Sequence, residues 1–307
     1  MPFSRFRERL DASATFYAGA GFAGAALLSI LSQPLAQPSK SSARRKCYAS
    51  ERASNNSTGS GALGVVIPEI EPVRLQGNMR VSIIVPTLNE ESRIVGTIRS
   101  LQRLSSEKEI IVVDGGSTDQ TAPLACTQNV LVLEAPQGRG IQMHVGALES
   151  TGDVLWFLHA DTIPPPHALE HIRKSLEARS SVGGNFGLLF DGPSLAARQL
   201  TAIYPLLRII GLCYGDSGIF VRRDVYHQIG GFRSLPLFED LDLLRRLRRV
   251  GRFVHLNCRI ITSSRRFEQR NFALMWLHWT TLQLLYWCGV SPKWLSRWYP
   301  HVRRASA

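Results

Sequence analysis

The sequence predicts an α/β protein, a mainly parallel sheet flanked by helices. Three observations carry that reading. Short apolar runs recur between Val81 and Leu158 with helix-like amphipathic segments between them, the alternation that builds a parallel, doubly wound sheet. Each run ends in polar or glycine-rich sequence, so chemistry-bearing residues gather at the carboxyl ends of strands, where open α/β sheets bind ligands. The chain has 307 residues and is 44% hydrophobic, enough for one large domain plus tails.

Val81, Ile83, Ile84 and Val85 form the first strand, ended by Pro86, because proline lacks the N–H that a ladder needs. Thr87-Leu88-Asn89-Glu90-Glu91 follows, then a helix with Ile94, Ile98 and Leu101 on one face. Ile110 to Val113 make the second strand, which delivers Asp114 into Asp114-Gly115-Gly116-Ser117-Thr118-Asp119. An acid at such a strand end can hydrogen-bond a ribose or a base, or act only as a turn residue. Val130 to Leu133 form the third strand. Gly138-Arg139-Gly140 and a helix from Ile141 to about Leu148 come next. Arg139 there either reaches a phosphate or is a solvated loop arginine.

The fourth strand, Val154 to Leu158, is apolar without a polar break and therefore buried on both faces. It stops on His159-Ala160-Asp161, and Pro164, Pro165 and Pro166 close it. A carboxylate at that position suits a hard divalent cation that also holds phosphate oxygens. The plainer reading of Asp161 is a cap on the next turn. After Gly251, Phe253 to Ile261 read as an edge strand.

The chain divides into residues 1–78, an N-terminal extension; 79–262, the folded domain; and 263–307, a basic and aromatic helical segment. The extension is basic, rich in Ser and Ala, and acid-poor, with an Ala/Gly-rich apolar run from Phe16 to Leu31. That composition suits an organelle-targeting segment, plastid rather than mitochondrial, or a membrane anchor; the alternative is a disordered extension. Phe272 to Val290 carries Trp276, Trp279, Tyr286 and Trp287 between Arg270 and Lys293, as a helix lying on a membrane surface would, or one packed on the domain.

The formal net charge of +12 favours anionic partners. Nucleic acid is not expected, because no RRM, KH or zinc-finger pattern accompanies the charge. No GxGxxG follows the first strand and no GxxxxGK[ST] occurs, which excludes a dinucleotide fingerprint and a P-loop. The five cysteines are scattered without CxxC pairs, so they read as thiols in a reducing compartment rather than a zinc site or a disulfide framework.

Together, VSIIVPTLNEE, EIIVVDGGSTDQT, the Gly138-Arg139-Gly140 loop and FLHADT, in this order from Val81 to about Arg252, resemble the family-two glycosyltransferases of the GT-A fold. The likeness is greatest to a bacterial and cyanobacterial subgroup with His-Ala-Asp in place of Asp-Xaa-Asp, which is also similar in YGDSGIFVRRDVY, GGFRSLPLFEDLDLLRRLRRVGR and LQLLYWCGVSP. The resemblance implies that Pro86, Thr87, Asn89 and Glu90 line a nucleotide pocket. Asp114 would hold base or ribose, and Arg139 the neighbouring nucleotide. Asp161 would coordinate Mn²⁺ or Mg²⁺ on the diphosphate, with His159 where the family has its first Asp. Asp240 aligns with the catalytic base, beside Glu239. The donor would be a nucleotide-sugar and the acceptor lipid-linked or otherwise hydrophobic.

The chemistry fits independently of the resemblance. Glycosyl transfer needs the leaving-group charge neutralised, by a cation or by arginines such as Arg265 and Arg266. It also needs a carboxylate to take the acceptor proton. Asp161 and Asp240 supply two carboxylates; Glu239 and Asp240 also suit a helix N-terminus. Asp216, in Gly215-Asp216-Ser217-Gly218, contacts donor or acceptor or forms a tight turn. The alternatives are a nucleotidyltransferase, for which a basic glycine-rich loop after the first strand is missing, and a non-catalytic nucleotide-sugar-binding module, supported only by His159.

Overall fold

Strand β2 (Val81–Thr87) stands at the centre of a sheet in the computed structural model, which describes residues 44–47, 79–209, 212–265 and 272–299, all within a unit spanning Pro38–Ala307. Every β2 residue is buried. Alternation along the pleat sends Val81, Ile83 and Val85 into one apolar cluster and Ile84 into another, which is why this run carries no polar face. Helix α1 (Ile94–Gln102) packs Ile94, Ile98 and Leu101 onto the first cluster. Strand β3 (Lys108–Asp114) runs parallel to β2, so that Thr87 lies level with Asp114.

A short helix α2 (Thr121–Cys126) leads to β4 (Leu131–Glu134), parallel to β3. Helix α3 (Arg139–Glu149) covers the second cluster with Met143 and Val145. Strand β5 (Val154–Phe157) is parallel to β2 on its other side. A two-residue strand β6 (Thr162–Ile163) and helix α4 (Ala168–Ser175) follow.

The second half brings β7 (Ser181–Phe190), α5 (Leu195–Ile209), a 3-10 turn at Gly215–Ser217, β8 (Phe220–Arg222) and α6 (Arg223–Gln228). Helix α7 (Glu239–Val250), β9 (Arg252–Thr262), α8 (Phe272–Trp287) and α9 (Pro292–Leu295) complete it. With β1 (Arg44–Cys47), the sheet order is β1-β4-β3-β2-β5-β8-β7-β9-β6. The block β4-β3-β2-β5 is parallel, as the alternation of runs and helices implies. Strand β8 enters antiparallel between β5 and β7, so the whole sheet is mixed.

Several elements differ from the sequence reading. Strand β2 runs through Pro86, which sits level with Val113; only one ladder donor is lost, near the strand end, and the Thr87 carbonyl still accepts from Gly115 N–H at 2.9 Å. Strand β9 pairs with β7 along its length and is an edge over most of it, as read from the sequence; on its other side β6 meets only Ile261 and Thr262. Spacing selects Leu241, Leu244 and Leu247 as the inward face of α7, whereas the structure buries Leu243, Leu244 and Leu247 and leaves Leu241 half-buried.

Part of the 1–78 extension joins the sheet, since β1 pairs antiparallel with β4. The apolar run from Phe16 to Leu31 lies outside the described residues. Among the described residues no helix is long and apolar enough to cross a membrane. Cys126 is disulfide-bonded, while Cys213, Cys258 and Cys288 are free. The five cysteines are therefore not all free thiols.

Candidate active site

The carboxyl ends of β2 and β3 carry two loops laced to each other. Asn89, whose φ of 52° is left-handed as Asn tolerates, accepts from Thr118 N–H at 2.9 Å and donates its own N–H to Ser117 Oγ at 3.0 Å. Glu90 N–H donates to Thr121 Oγ1 at 2.7 Å, and Glu91 Oε2 accepts from Gln120 N–H at 3.0 Å. Asp114 is fully buried and accepts from Gly116 N–H, Ser117 N–H and Ser117 Oγ. Its carboxylate therefore folds the glycine-rich loop. Gln142, which the sequence reading missed, is buried on α3 and donates 2.8 Å bonds to the Thr87 and Val113 carbonyls. It closes the end of the β2–β3 ladder; a lone glutamine between Ile141 and Met143 gives no sequence signal of that.

Beside these loops lies a cationic point. Arg265 donates to Glu90 Oε2 at 3.0 Å and stands 3.9 Å from Asp161 Oδ2. Glu90 is buried, whereas Arg265 is about half exposed and Asp161 is 21% exposed. Arg266 lies outside the described residues. His159 turns the other way: its Nδ1 lies 2.9 Å from Asp216 Oδ1, and a Cβ on Gly215 would meet its Nε2 at 3.3 Å.

Among the described residues, no group of three or more His, Cys, Asp and Glu is placed to hold a metal ion. What fits a hard cation here is the Asp161 carboxylate, because Mg²⁺-type ions are commonly held by one or two carboxylates together with substrate phosphates.

The 3-10 turn links His159 and Asp216 to the start of α7. Gly215 N–H donates to Asp240 Oδ2 at 2.6 Å, and Asp240 Oδ1 accepts from Leu241 N–H at 2.8 Å. Asp240 is 6% exposed. Burial is the main cause that pushes its carboxyl up to about 6, with the negative Glu239 beside it adding to the rise, while Arg139 and the two backbone donors oppose it. Glu239 turns away from Asp240 and pairs with Arg139, Nε to Oε1 at 2.9 Å. The charge of Glu239, ahead of Asp240 and Asp216, holds the Arg139 guanidinium above its ordinary range. Gly140 permits this approach of α3 to α7, since a Cβ there would lie 3.0 Å from the Arg233 carbonyl and 3.3 Å from Glu239 Cβ.

The turn itself is held from behind by a second group that sequence reasoning missed. Buried Asn185 donates to Ser217 Oγ at 3.0 Å and Tyr204 Oη at 3.2 Å, and its Oδ1 lies 2.7 Å from His255 Nδ1. Burial, with Arg208 and Arg248 nearby, pushes His255 down to about 4, so at neutral pH this imidazole is uncharged. Pro86 and Thr87 are buried beneath the loops. Of the predicted residues, Glu90, Asp161 and Arg265 form one group and His159, Asp216, Glu239, Asp240 and Arg139 another, while Asn89 and Asp114 belong to the laced loops.

Residues 82–231 match the family described as glycosyl transferase family 2. An uncharacterized glycosyltransferase of Nostoc sp. is 31% identical over 138 residues, 42% of this chain and 43% of that protein. The 4,4'-diaponeurosporenoate glycosyltransferase of Staphylococcus haemolyticus is 29% identical over 141 residues, 43% of this chain and 37% of that protein. The chain thus covers less than half the length of these curated relatives. Among solved structures, a mannosyltransferase from Pyrobaculum calidifontis in complex with GDP-Man and Mn²⁺ superposes with a TM-score of 0.54 at 16% identity, covering 69% of this chain and 63% of that one. The α/β fold is accordingly that of GT-A glycosyltransferases.

Proposed function

On the premise that residues 82–231 are a glycosyl transferase family 2 domain, we propose that the chain transfers a sugar, with inversion, from a nucleoside-diphosphate sugar to an acceptor hydroxyl, and that Asp240 is the base. The observation that carries this is the Asp240 carboxylate: 6% exposed, fixed by Gly215 N–H and Leu241 N–H, and held up to about 6. A base poised just below neutral pH is ionised when the acceptor arrives and still basic enough to accept a proton. In the step, Asp240 takes the acceptor hydroxyl proton, the oxygen bonds to the anomeric carbon, and the bond from that carbon to the nucleoside diphosphate breaks on the opposite face.

The laced loops around Asn89, Glu90 and Asp114 would receive the nucleotide. Charge on the leaving diphosphate must be neutralised. Arg265 is one source of positive charge there. A divalent cation, as in the mannosyltransferase complex, would supply further neutralisation, with Asp161 as its protein ligand. Arg139, paired with Glu239, limits how far Asp240 rises. His159 orients Asp216 at the turn.

Asp240→Asn tests the reading because it keeps shape and removes the basic lone pair. Transfer should fall about 10²–10⁴-fold, while calorimetric affinity for the nucleotide sugar stays close to that of the parent. Transfer at near the parental rate would remove Asp240 from the reaction. Asp161→Asn should weaken donor binding and abolish any dependence of it on Mn²⁺; equal binding by the parent protein in excess chelator would leave neutralisation to the arginines.

A further inference from the structure

A cavity of about 350 Å³ opens beside Asp240, within the size range of small-molecule sites. Helix α5 gives it Leu200, Tyr204 and Leu207; α8 gives it Trp276, Trp279 and Trp287. Its charged lining residues are Arg139, Asp216 and Asp240, and the first two are already engaged by Glu239 and His159. A charged acceptor would find an apolar wall and carboxylates here, a costly place to lose water.

Gln283 also lines the cavity. It is 5% exposed, and neither its Nε2 nor its Oε1 has a hydrogen-bond partner. A buried amide left without partners is costly, and such a group calls for an explanation, a partner bound during function being one. An amide offers both a donor and an acceptor, so its natural complement is a hydroxyl or a carbonyl.

We propose that this cavity is the acceptor subsite and that it takes an uncharged apolar alcohol bearing a second polar group. The reacting hydroxyl reaches Asp240, the apolar body lies against the tryptophans, and the second polar group satisfies Gln283. This rests on the transferase reading of Asp240 and adds to it the class of acceptor.

Decanediol, decanol and phosphoglycerate serve as probes. The cavity tryptophans report binding by fluorescence, and transfer from a panel of nucleotide sugars reports turnover. Decanediol should bind saturably and more tightly than decanol, by about threefold to tenfold for one hydrogen bond. Gln283→Leu should erase that preference while leaving decanol binding in place. Leu207→Trp, at a half-buried lining position, should abolish binding of both alcohols by filling the space. Wild-type protein that turns over a nucleotide sugar but neither binds the alcohols nor glycosylates them, or that glycosylates phosphoglycerate instead, would overturn the acceptor class alone. Alcohol binding without any binding or hydrolysis of nucleotide sugars would overturn the transferase reading, and the acceptor assignment with it.

Discussion

The Asp240 carboxyl is held by opposed influences, and each has a residue that can be removed. Below about pH 6 the proposed base is protonated, so kcat/KM should fall tenfold per pH unit on an acid limb centred near 6. Glu239→Gln removes the negative neighbour that raises Asp240, so the limb should move to lower pH; a limb that stays in place would show that another group titrates. The same shift bears on stability. The folded value lies above the ordinary value of 3.8, so the contribution of Asp240 is fully present below that value and is lost as pH rises through about 6. Asn185 acts on Asp240 only through the turn. Asn185→Ala should cost about 1–3 kcal/mol by leaving Ser217 and Tyr204 without their amide donor. By loosening the Gly215 donor it should also raise the acid limb, a change that lost packing alone would not produce. Asp240 and Glu239 could be singled out only through the resemblance, because two acids ahead of a leucine-rich helix otherwise suit any helix N-terminus. Asn185 could not, since its partners are 19, 32 and 70 residues away in the chain.

At the scale of elements, the sequence specified the parallel block well. Four apolar runs of strand length, each bounded by polar or glycine-rich loops, leave little choice over which segments are strands. It specified the second half poorly. Strand β8 has three residues and β6 two, too short to show a period. The packing of α3 onto the block is exacting. A Cβ on Gly146 would lie 2.5 Å from an Ile84 methyl and 3.0 Å from a Val113 methyl. Gly146→Ala should therefore destabilise the domain by about 1–3 kcal/mol through overpacking, visible as a lowered denaturation midpoint with an unchanged slope. A variant as stable as the parent would mean that α3 can ride outward without loss.

For the molecule as a whole, the return of Arg44–Cys47 to the sheet was not legible, because a strand of basic residues has no apolar pattern to read. Strand β1 covers the outer edge of β4, and an open edge is a template for pairing with another chain. Deleting residues 1–78 should leave the circular dichroism spectrum nearly intact yet make light scattering rise with protein concentration. A deletion product that stays monomeric would show that β4 is protected by other means. The disulfide at Cys126 could not be inferred, since scattered cysteines in sequence say nothing of distance in space.

The lacing of the Asn89–Glu91 loop to the Ser117–Thr121 loop has a thermodynamic consequence. Loops that must settle around a ligand lose backbone freedom at about 1–2 kcal/mol per residue ordered. Here the backbone N–H groups of Asn89, Glu90, Glu91, Thr118 and Gln120 are already donated to side chains of the facing loop, so that loss falls on folding instead of on binding. Nucleotide capture should accordingly resemble a key entering a rigid lock: hydrogen exchange at these amides should be slow in the free protein and change little when the ligand arrives.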